Sequence, residues 1–195
     1  MQTMALRMRR KGIQVFIIAP LKGHEFYRAA RNVGGEFIQI SPASKNCINI
    51  IEIRKVDNSV NELLDGPTLD ASALAGKIQR LHIFFSLLIP DMSHEEKQLL
   101  DEALIKTYAR KGITHKNESL TDPQHPEQYK KMPILEDVYN VLLESEDTKR
   151  LAHILNRLVH GSASSFNQQT NVDLTNKYTV LDISEPVSYT HLTLP

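Results

Sequence analysis

The sequence contains a single cysteine, Cys47, so it cannot form an internal disulfide bond. This is typical of proteins in a reducing compartment, and we interpret Cys47 as a small buried residue. No apolar stretch is long enough to span a bilayer, since the longest, at residues 83–89, is interrupted by Ser86 and stopped by Pro90. The first residues lack the apolar core and cleavage site of a secretory signal. We therefore expect a cytoplasmic protein without a transmembrane segment.

The chain also has no excess of positive or negative charge. The formal net charge of the 195 residues is +0, which excludes an overall basic field for nucleic acid and the acidic excess typical of disorder. Apolar residues make up 41% and charged residues 24% of the chain, the composition of a globular protein. The length suits one large domain, or one domain with an insertion.

Three common catalytic motifs are absent. The chain has no Gly-Lys-Ser/Thr phosphate loop and no acidic Walker B strand, so this sequence cannot hydrolyse a nucleotide by the P-loop mechanism. It has no G-x-S-x-G motif of a serine hydrolase. No two of the eight histidines have the H-x-x-x-H spacing of a helical zinc site. We therefore expect no metal site and no cofactor-binding residues.

Residues 12–26 contain the predicted strand and loop on which the rest of the fold prediction depends. The apolar run at residues 15–18 predicts a strand buried on both faces, as in a parallel sheet covered by helices. A loop containing Gly23 follows, and Glu25 begins a helical pattern. Ligands of open α/β sheets lie at the carboxyl ends of strands, so this loop either borders a nucleotide site or is an ordinary connection.

Glu25 is the candidate catalytic residue. It follows the carboxyl end of the predicted strand and lies where a helix begins. A carboxylate at that position is also favoured by the helix dipole alone, so a purely structural role explains it equally well.

The rest of the chain predicts an α/β sheet interrupted by helices. Period-two and β-branched runs predict strands at residues 36–40, 48–53 and 178–183. From Ser72 to His160 the pattern is helical: Leu74, Ile78, Leu81, Phe85 and Leu88 share one helix face, and Ser93 with Glu96 forms a capping box. Residues 114–132 are polar and are predicted to be an exposed loop.

Several segments in order resemble one protein family. They are V-F-I-I-A-P-L-K-G-H-E-F at residues 15–26, V-G-G-E-F-I-Q-I-S-P at 33–42, L-H-I-F-F-S-L-L-I-P-D-M at 81–92, R-L-V-H-G-S-A-S-S-F-N-Q-Q-T-N-V at 157–172 and Y-T-V-L-D-I-S-E at 178–185. Together they resemble the region after the P-loop in conjugative-transfer ATPases of type IV secretion systems. These are FtsK/HerA-type, RecA-like motors, here of the Gram-positive transposon branch. The resemblance covers residues 1–185.

The resemblance implies a fold of class α/β: a partial RecA-like P-loop ATPase sheet with an inserted all-helical subdomain. Residues 1–56 would form the partial ATPase core, residues 57–171 the inserted subdomain with its connectors, and residues 172–185 the return strand. Residues 186–195 depart from the family pattern. They resemble a translated sequencing adapter and are excluded from the fold prediction.

The same resemblance implies the function. The chain would be an internal fragment of an ATP-hydrolysing motor of conjugative DNA transfer, with both Walker motifs outside it, and would be inactive alone. The parent would use ATP and Mg²⁺, form a hexamer-type homo-oligomer and contact secretion-channel proteins, with DNA as a further candidate partner. It would lie in the cytoplasm, with the inner face of the cell membrane as a candidate peripheral location. Glu25 aligns with a Glu-aromatic pair of the family, whereas Ala19-Pro20 replaces an acidic residue.

Two other functions stay open from the sequence. The helical residues 72–160 could form a protein-interaction module within a secretion-channel assembly. An unrelated enzyme similar to α/β hydrolases is a third hypothesis, but it lacks any nucleophile motif.

Overall fold

The computed structural model describes residues 2–21, 23–41, 44–54, 72–161 and 166–183. The adapter-like residues 186–195 lie outside these ranges. The described chain divides into two compact units. The sheet unit consists of the residues up to Ile48 together with those from Thr170, and the helical unit is Asn49–Gln169.

A three-stranded parallel sheet is the centre of the sheet unit. Its elements in chain order are α1 (Gln2–Arg10), β1 (Val15–Ala19), α2 (His24–Asn32), β2 (Glu36–Gln39) and β3 (Tyr178–Asp182). The strand order is β1-β3-β2, and both pairs are parallel. The last strand of the chain therefore lies between the first two, and the predicted parallel sheet is confirmed.

The core of the sheet unit lies between β3 and the two helices. Tyr178 and Val180 of β3 are fully buried, together with Ala30 of α2. Gly12 and Gly34 have φ angles of 80° and 64° just after α1 and α2. Because side chains disfavour this left-handed region, glycine is the residue that ends these helices and turns the chain into the next strand.

Burial of β1 differs from the prediction. Val15 and Ala19 are buried, but Phe16 and Ile18 are 47% and 60% exposed. β1 is an edge strand of the described sheet, and alternate side chains of a strand point to opposite faces. The described helices cover the face of Val15, so the prediction that β1 is buried on both faces is wrong for this part of the chain.

The strand predicted at residues 48–53 is also wrong, because this segment is irregular. Its backbone groups bond to side chains instead of a neighbouring strand: Ile51 N–H donates to Asn49 Oδ1 at 3.0 Å, and the Tyr108 hydroxyl donates to the Ile51 carbonyl. Asn49 Nδ2 also donates to the Pro133 carbonyl at 2.8 Å. Ile51 and Ile53 are buried in the helical core. Burial raises the pKa of the Tyr108 hydroxyl above its usual value.

In the described part of the helical unit, four helices surround one apolar core. They are α3 (Ala73–Leu88), α4 (His94–Arg110), α5 (Leu135–Leu142) and α6 (Lys149–Val159), with 3-10 turns at Asn117–Leu120 and Glu146–Thr148. The predicted apolar face of α3 is confirmed at its four buried positions, while Leu88 is only partly buried. No helix among the described residues is long and apolar enough to cross a membrane.

The start of α4 has the predicted capping box. Ser93 N–H donates to Glu96 Oε2 at 2.9 Å, and Glu96 N–H donates to Ser93 Oγ at 3.1 Å. Arg150 of α6 bridges the Glu96 carboxylate at 2.7 Å and the Asp91 carboxylate at 2.5 Å. The backbone hydrogen bond at Ser93 and the Arg150 guanidinium lower the pKa of Glu96. These contacts fix where α4 begins relative to α6.

Residues 114–132 are only partly the exposed loop that their composition predicts. Thr121 and Tyr129 form an antiparallel bridge, which closes the segment on itself. Leu120 and Met132 are buried in the helical core. Because these two apolar side chains anchor the segment, most of its remaining polar residues can stay in solvent.

Candidate functional site

The carboxyl ends of the three parallel strands meet at one edge of the sheet. Ala19 of β1 and Gln39 of β2 are both in register with Asp182, the last residue of β3. Open α/β sheets bind their ligands outside this edge. We therefore take these strand ends, together with the loop that leads from β1 into α2, as the candidate site.

Asp182 is the central residue of this edge and is only 5% exposed. Its backbone is held by β2, because Ile40 N–H donates to the Asp182 carbonyl at 2.8 Å. The next residue is held by β1, because Ile183 N–H donates to the Ala19 carbonyl at 3.1 Å. A carboxylate is thus fixed on the central strand by its two neighbours.

The Asp182 carboxylate lies directly against Gly23. A Cβ atom built on Gly23 would be 2.1 Å from Asp182 Oδ1 and 2.2 Å from its Cγ, far inside contact distance. Gly23 has an ordinary helical φ of −53°, so close approach rather than backbone freedom requires glycine at this position. The loop after β1 and the end of β3 therefore fit together only because residue 23 has no side chain.

Gly23 is the N-cap of α2, so Asp182 lies at the amino end of that helix. Phe26 N–H donates to the Gly23 carbonyl at 3.0 Å, which begins the helical hydrogen bonding. The unpaired N–H groups and the dipole of a helix favour negative charge at this end. The electrostatics of α2 thus favour a carboxylate where Asp182 is placed.

Glu25, the predicted catalytic residue, lies in the first turn of the same helix and is exposed. Its carbonyl accepts a hydrogen bond from Gln2 Nε2 at 2.9 Å, which links α1 to the start of α2. The fold therefore places Glu25 and Asp182 beside the same helix terminus. Its catalytic role stays a prediction.

Sequence reasoning missed Asp182. The sequence predicts a strand at residues 178–183, which contains Asp182. An acidic residue near the carboxyl end of a parallel strand is itself a signal for a site. The sequence does not show the strand order, in which β3 lies between β1 and β2. This order brings Asp182 next to the loop after β1.

Local hydrogen bonds hold the polar residues after β2. Ser44 Oγ and Asn46 Nδ2 both donate to the Gln39 carbonyl, at 2.7 and 3.0 Å. Cys47 N–H donates to Asn171 Oδ1 at 2.7 Å, and Cys47 is buried as predicted. These contacts hold the loop next to the site in place, and we propose no catalytic role for these residues.

On their own, the described residues at this edge do not hold a nucleoside triphosphate. Two carboxylates lie beside the α2 terminus, and phosphate groups could come close to them only with a cation in between. Among the described residues no group of three or more histidine, cysteine or acidic side chains is placed to hold a metal ion. His82, outside this edge, instead bonds through Nε2 to Asp101 Oδ1 at 2.8 Å. We derive no reaction step through ATP or Mg²⁺ from these residues.

The fold has a known structural counterpart. The structure of VirB4 of Thermoanaerobacter pseudethanolicus matches 93% of this chain with a TM-score of 0.72 and 26% sequence identity. This chain spans 63% of the length of that VirB4 chain. No protein-family model and no curated protein matches the sequence. The match confirms the resemblance to type IV secretion ATPases and the predicted class of a partial α/β ATPase-like fold with helices.

Replacing Gly23 tests the packing of the site. Gly23→Ala should lower the free energy of unfolding by about 2 kcal/mol, because the new Cβ must displace the buried Asp182 carboxylate. Combined with Asp182→Ala, the two losses should not add, because the second change removes the clash. Urea unfolding followed by circular dichroism measures all three variants.

Gly76→Ala is the matched control. Gly76 lies within α3, and a Cβ there would meet nothing within 4 Å. Because alanine is the better helix former, this change should raise stability by up to about 1 kcal/mol. Strictly additive losses at Gly23 and Asp182 would show that the two residues do not press against each other.

Proposed function

We propose that this chain is part of an ATP-driven motor of type IV secretion that transfers DNA in conjugation. The observation that carries the proposal is the VirB4 match, which extends over 93% of the chain and so includes both the sheet unit and the helical unit. In this proposal residues 1–56 and 172–185 belong to the ATPase core, and residues 57–171 are an inserted subdomain. The work of the motor would be done by the whole protein.

We further propose that ATP and Mg²⁺ bind through residues of the motor that lie outside this sequence. The chain has no Gly-Lys-Ser/Thr sequence, and the carboxylates of Glu25 and Asp182 are among the described residues at the carboxyl edge. The residue of this chain that would take part in the reaction is Glu25, which lies in the first turn of α2 beside the buried Asp182. Asp182 would act as a positioning residue, because it lies against Gly23 at the start of the helix from which Glu25 projects.

The partners and location follow from the same proposal. Motors of this kind would assemble as hexamer-type homo-oligomers, contact secretion-channel proteins and have DNA as a further partner. The protein would lie in the cytoplasm, with the inner face of the cell membrane as its peripheral site. The VirB4 similarity supports the oligomer and the secretion-system partners. DNA and the membrane face are proposed from the sequence resemblance to conjugative-transfer ATPases.

An ATPase assay tests this function. The 195-residue chain should not hydrolyse ATP above background, and a chain extended to include both Walker motifs should. In the extended chain, Glu25→Gln should reduce kcat by about 100-fold, the usual scale for loss of a positioned acid or base.

Glu95→Gln is the control for this assay, because Glu95 is also an exposed glutamate in the first turn of a helix. It should leave kcat unchanged. Turnover by the short chain would contradict the proposed division of the motor. An equal loss of kcat in Glu25→Gln and Glu95→Gln would contradict a catalytic role of Glu25.

One observation favours a second function, the helical protein-interaction module. Ile83 and Leu87 lie one turn apart on α3 and are 65% and 78% exposed, although both are large apolar residues. Contiguous exposed apolar side chains are typical of protein contacts. In a motor subunit this face would contact a secretion-channel protein.

Leu87→Glu should abolish co-purification of the chain with channel proteins from the same system, because a charge would be buried in the contact. Leu21→Glu is the control, since Leu21 is 79% exposed but lies in the sheet unit. Retention of channel proteins by Leu87→Glu, or the same loss in both variants, would contradict this function.

A further inference from the structure

A groove with a cationic wall runs along α1 in the sheet unit. Its volume is about 610 Å³, and its lining residues are Thr3, Leu6, Arg7, Arg9, Arg10 and Val33. The helix itself carries three arginines and no acidic residue. Since the formal net charge of the whole chain is +0, this is a local concentration of positive charge.

The guanidinium groups in this groove have no partner among the described residues. Some other arginines of the chain are paired: Arg150 contacts Asp91 and Glu96, and Arg110 contacts Glu144 at 2.5 Å. Neither an ion pair nor a hydrogen bond to a described residue is formed by the arginines of the groove. Arg9 is the most telling case, because its Nε is buried and unpaired. Buried donors are normally satisfied, so a ligand is the simplest acceptor.

Direct hydrogen bonding to the last carbonyls of the helix does not account for these arginines. Cations in a last turn usually serve the exposed carbonyl groups there. In α1 those carbonyls already accept backbone hydrogen bonds: Gly12 N–H donates to the Arg9 carbonyl at 3.0 Å, and Ile13 N–H donates to the Met8 carbonyl at 3.1 Å. The guanidinium groups therefore remain available to a ligand in the groove.

The groove is separate from the candidate site. Arg10 ends α1, and the turn at Gly12 then leads into the amino end of β1. Asp182 and Glu25 lie instead at the carboxyl ends of the strands. The arginines near the end of α1 therefore lie towards the opposite edge of the sheet unit from Asp182.

We propose that the α1 groove binds the phosphodiester backbone of a nucleic-acid strand. Planar guanidinium groups suit bidentate contact with phosphate oxygens. The described residues of the lining include no aromatic side chain on which bases could stack, so the contact is with the backbone and is independent of base sequence. This inference rests on the proposed function, in which DNA is the transferred substrate, and gives it a contact surface.

The test measures binding of a fluorescent single-stranded oligonucleotide to the full chain by anisotropy over a range of salt concentrations. Arg10→Gln should weaken binding about fivefold, and Arg7→Gln with Arg10→Gln should weaken it further. The slope of log affinity against log salt should fall by about 0.7 for each arginine removed, because one released counterion is lost with each phosphate contact. Both arginines are exposed, so their loss should leave the circular dichroism melt unchanged.

Arg157→Gln is the matched control, because Arg157 is also exposed in the last turn of a helix, α6. It should leave both the affinity and the salt slope unchanged. Three results would overturn the proposal: an equal loss of affinity in Arg10→Gln and Arg157→Gln, an unchanged salt slope in the double variant, or no binding at low salt.

Displacement of the oligonucleotide by free ATP at equal phosphate concentration would also overturn it, in favour of a small-anion site. ATP hydrolysis by the extended chain is a separate readout, so failure of the groove does not imply failure of the motor.

Discussion

The pairing of β3 with both β1 and β2 is the constraint on which the sheet unit depends. In the described part of the chain, β1 and β2 do not pair with each other and each has β3 as its strand partner. The helical unit separates β2 from β3 along the sequence. The early strands can therefore complete their hydrogen bonding only after the chain has passed through the helical unit, which makes folding of this sheet a long-range event.

That pairing also creates the candidate site. β3 brings Asp182 into register with the ends of both neighbours, and the missing side chain of Gly23 lets the carboxylate reach the amino end of α2. Glu25 projects from the helix whose start is fixed in this way. The opposite edge of the same unit carries the arginines of α1. The two edges thus differ in charge, with carboxylates at the strand ends and cations at the α1 groove, although the whole chain is neutral.

Local patterns in the sequence predicted much of the fold. The apolar face of α3, the Ser93–Glu96 capping box and the glycine that ends α2 each depend on residues within a few positions of one another. Features that depend on strand order or on distant side chains were not predictable in this way. The contact of Asp182 with Gly23 requires β3 to lie in the centre, and the exposed face of β1 follows from its place at the edge. Residues 48–53 have strand-like composition, but Asn49 and Tyr108 satisfy their backbone. Glu25 and the domain boundaries stay predictions.

Native-state hydrogen exchange at three amides tests most directly whether β3 holds the sheet unit together. Val15 N–H donates to the Lys177 carbonyl, Ile40 N–H to Asp182 and Ile183 N–H to Ala19, so these amides report on both strand pairs. Our account predicts that they share one opening free energy, and that Val180→Ala lowers it by about 2 kcal/mol at all three. The Ile89 amide of the helical unit, which donates to the Phe85 carbonyl, should keep its protection. Loss of protection at Ile40 with Val15 unchanged would contradict the central role of β3.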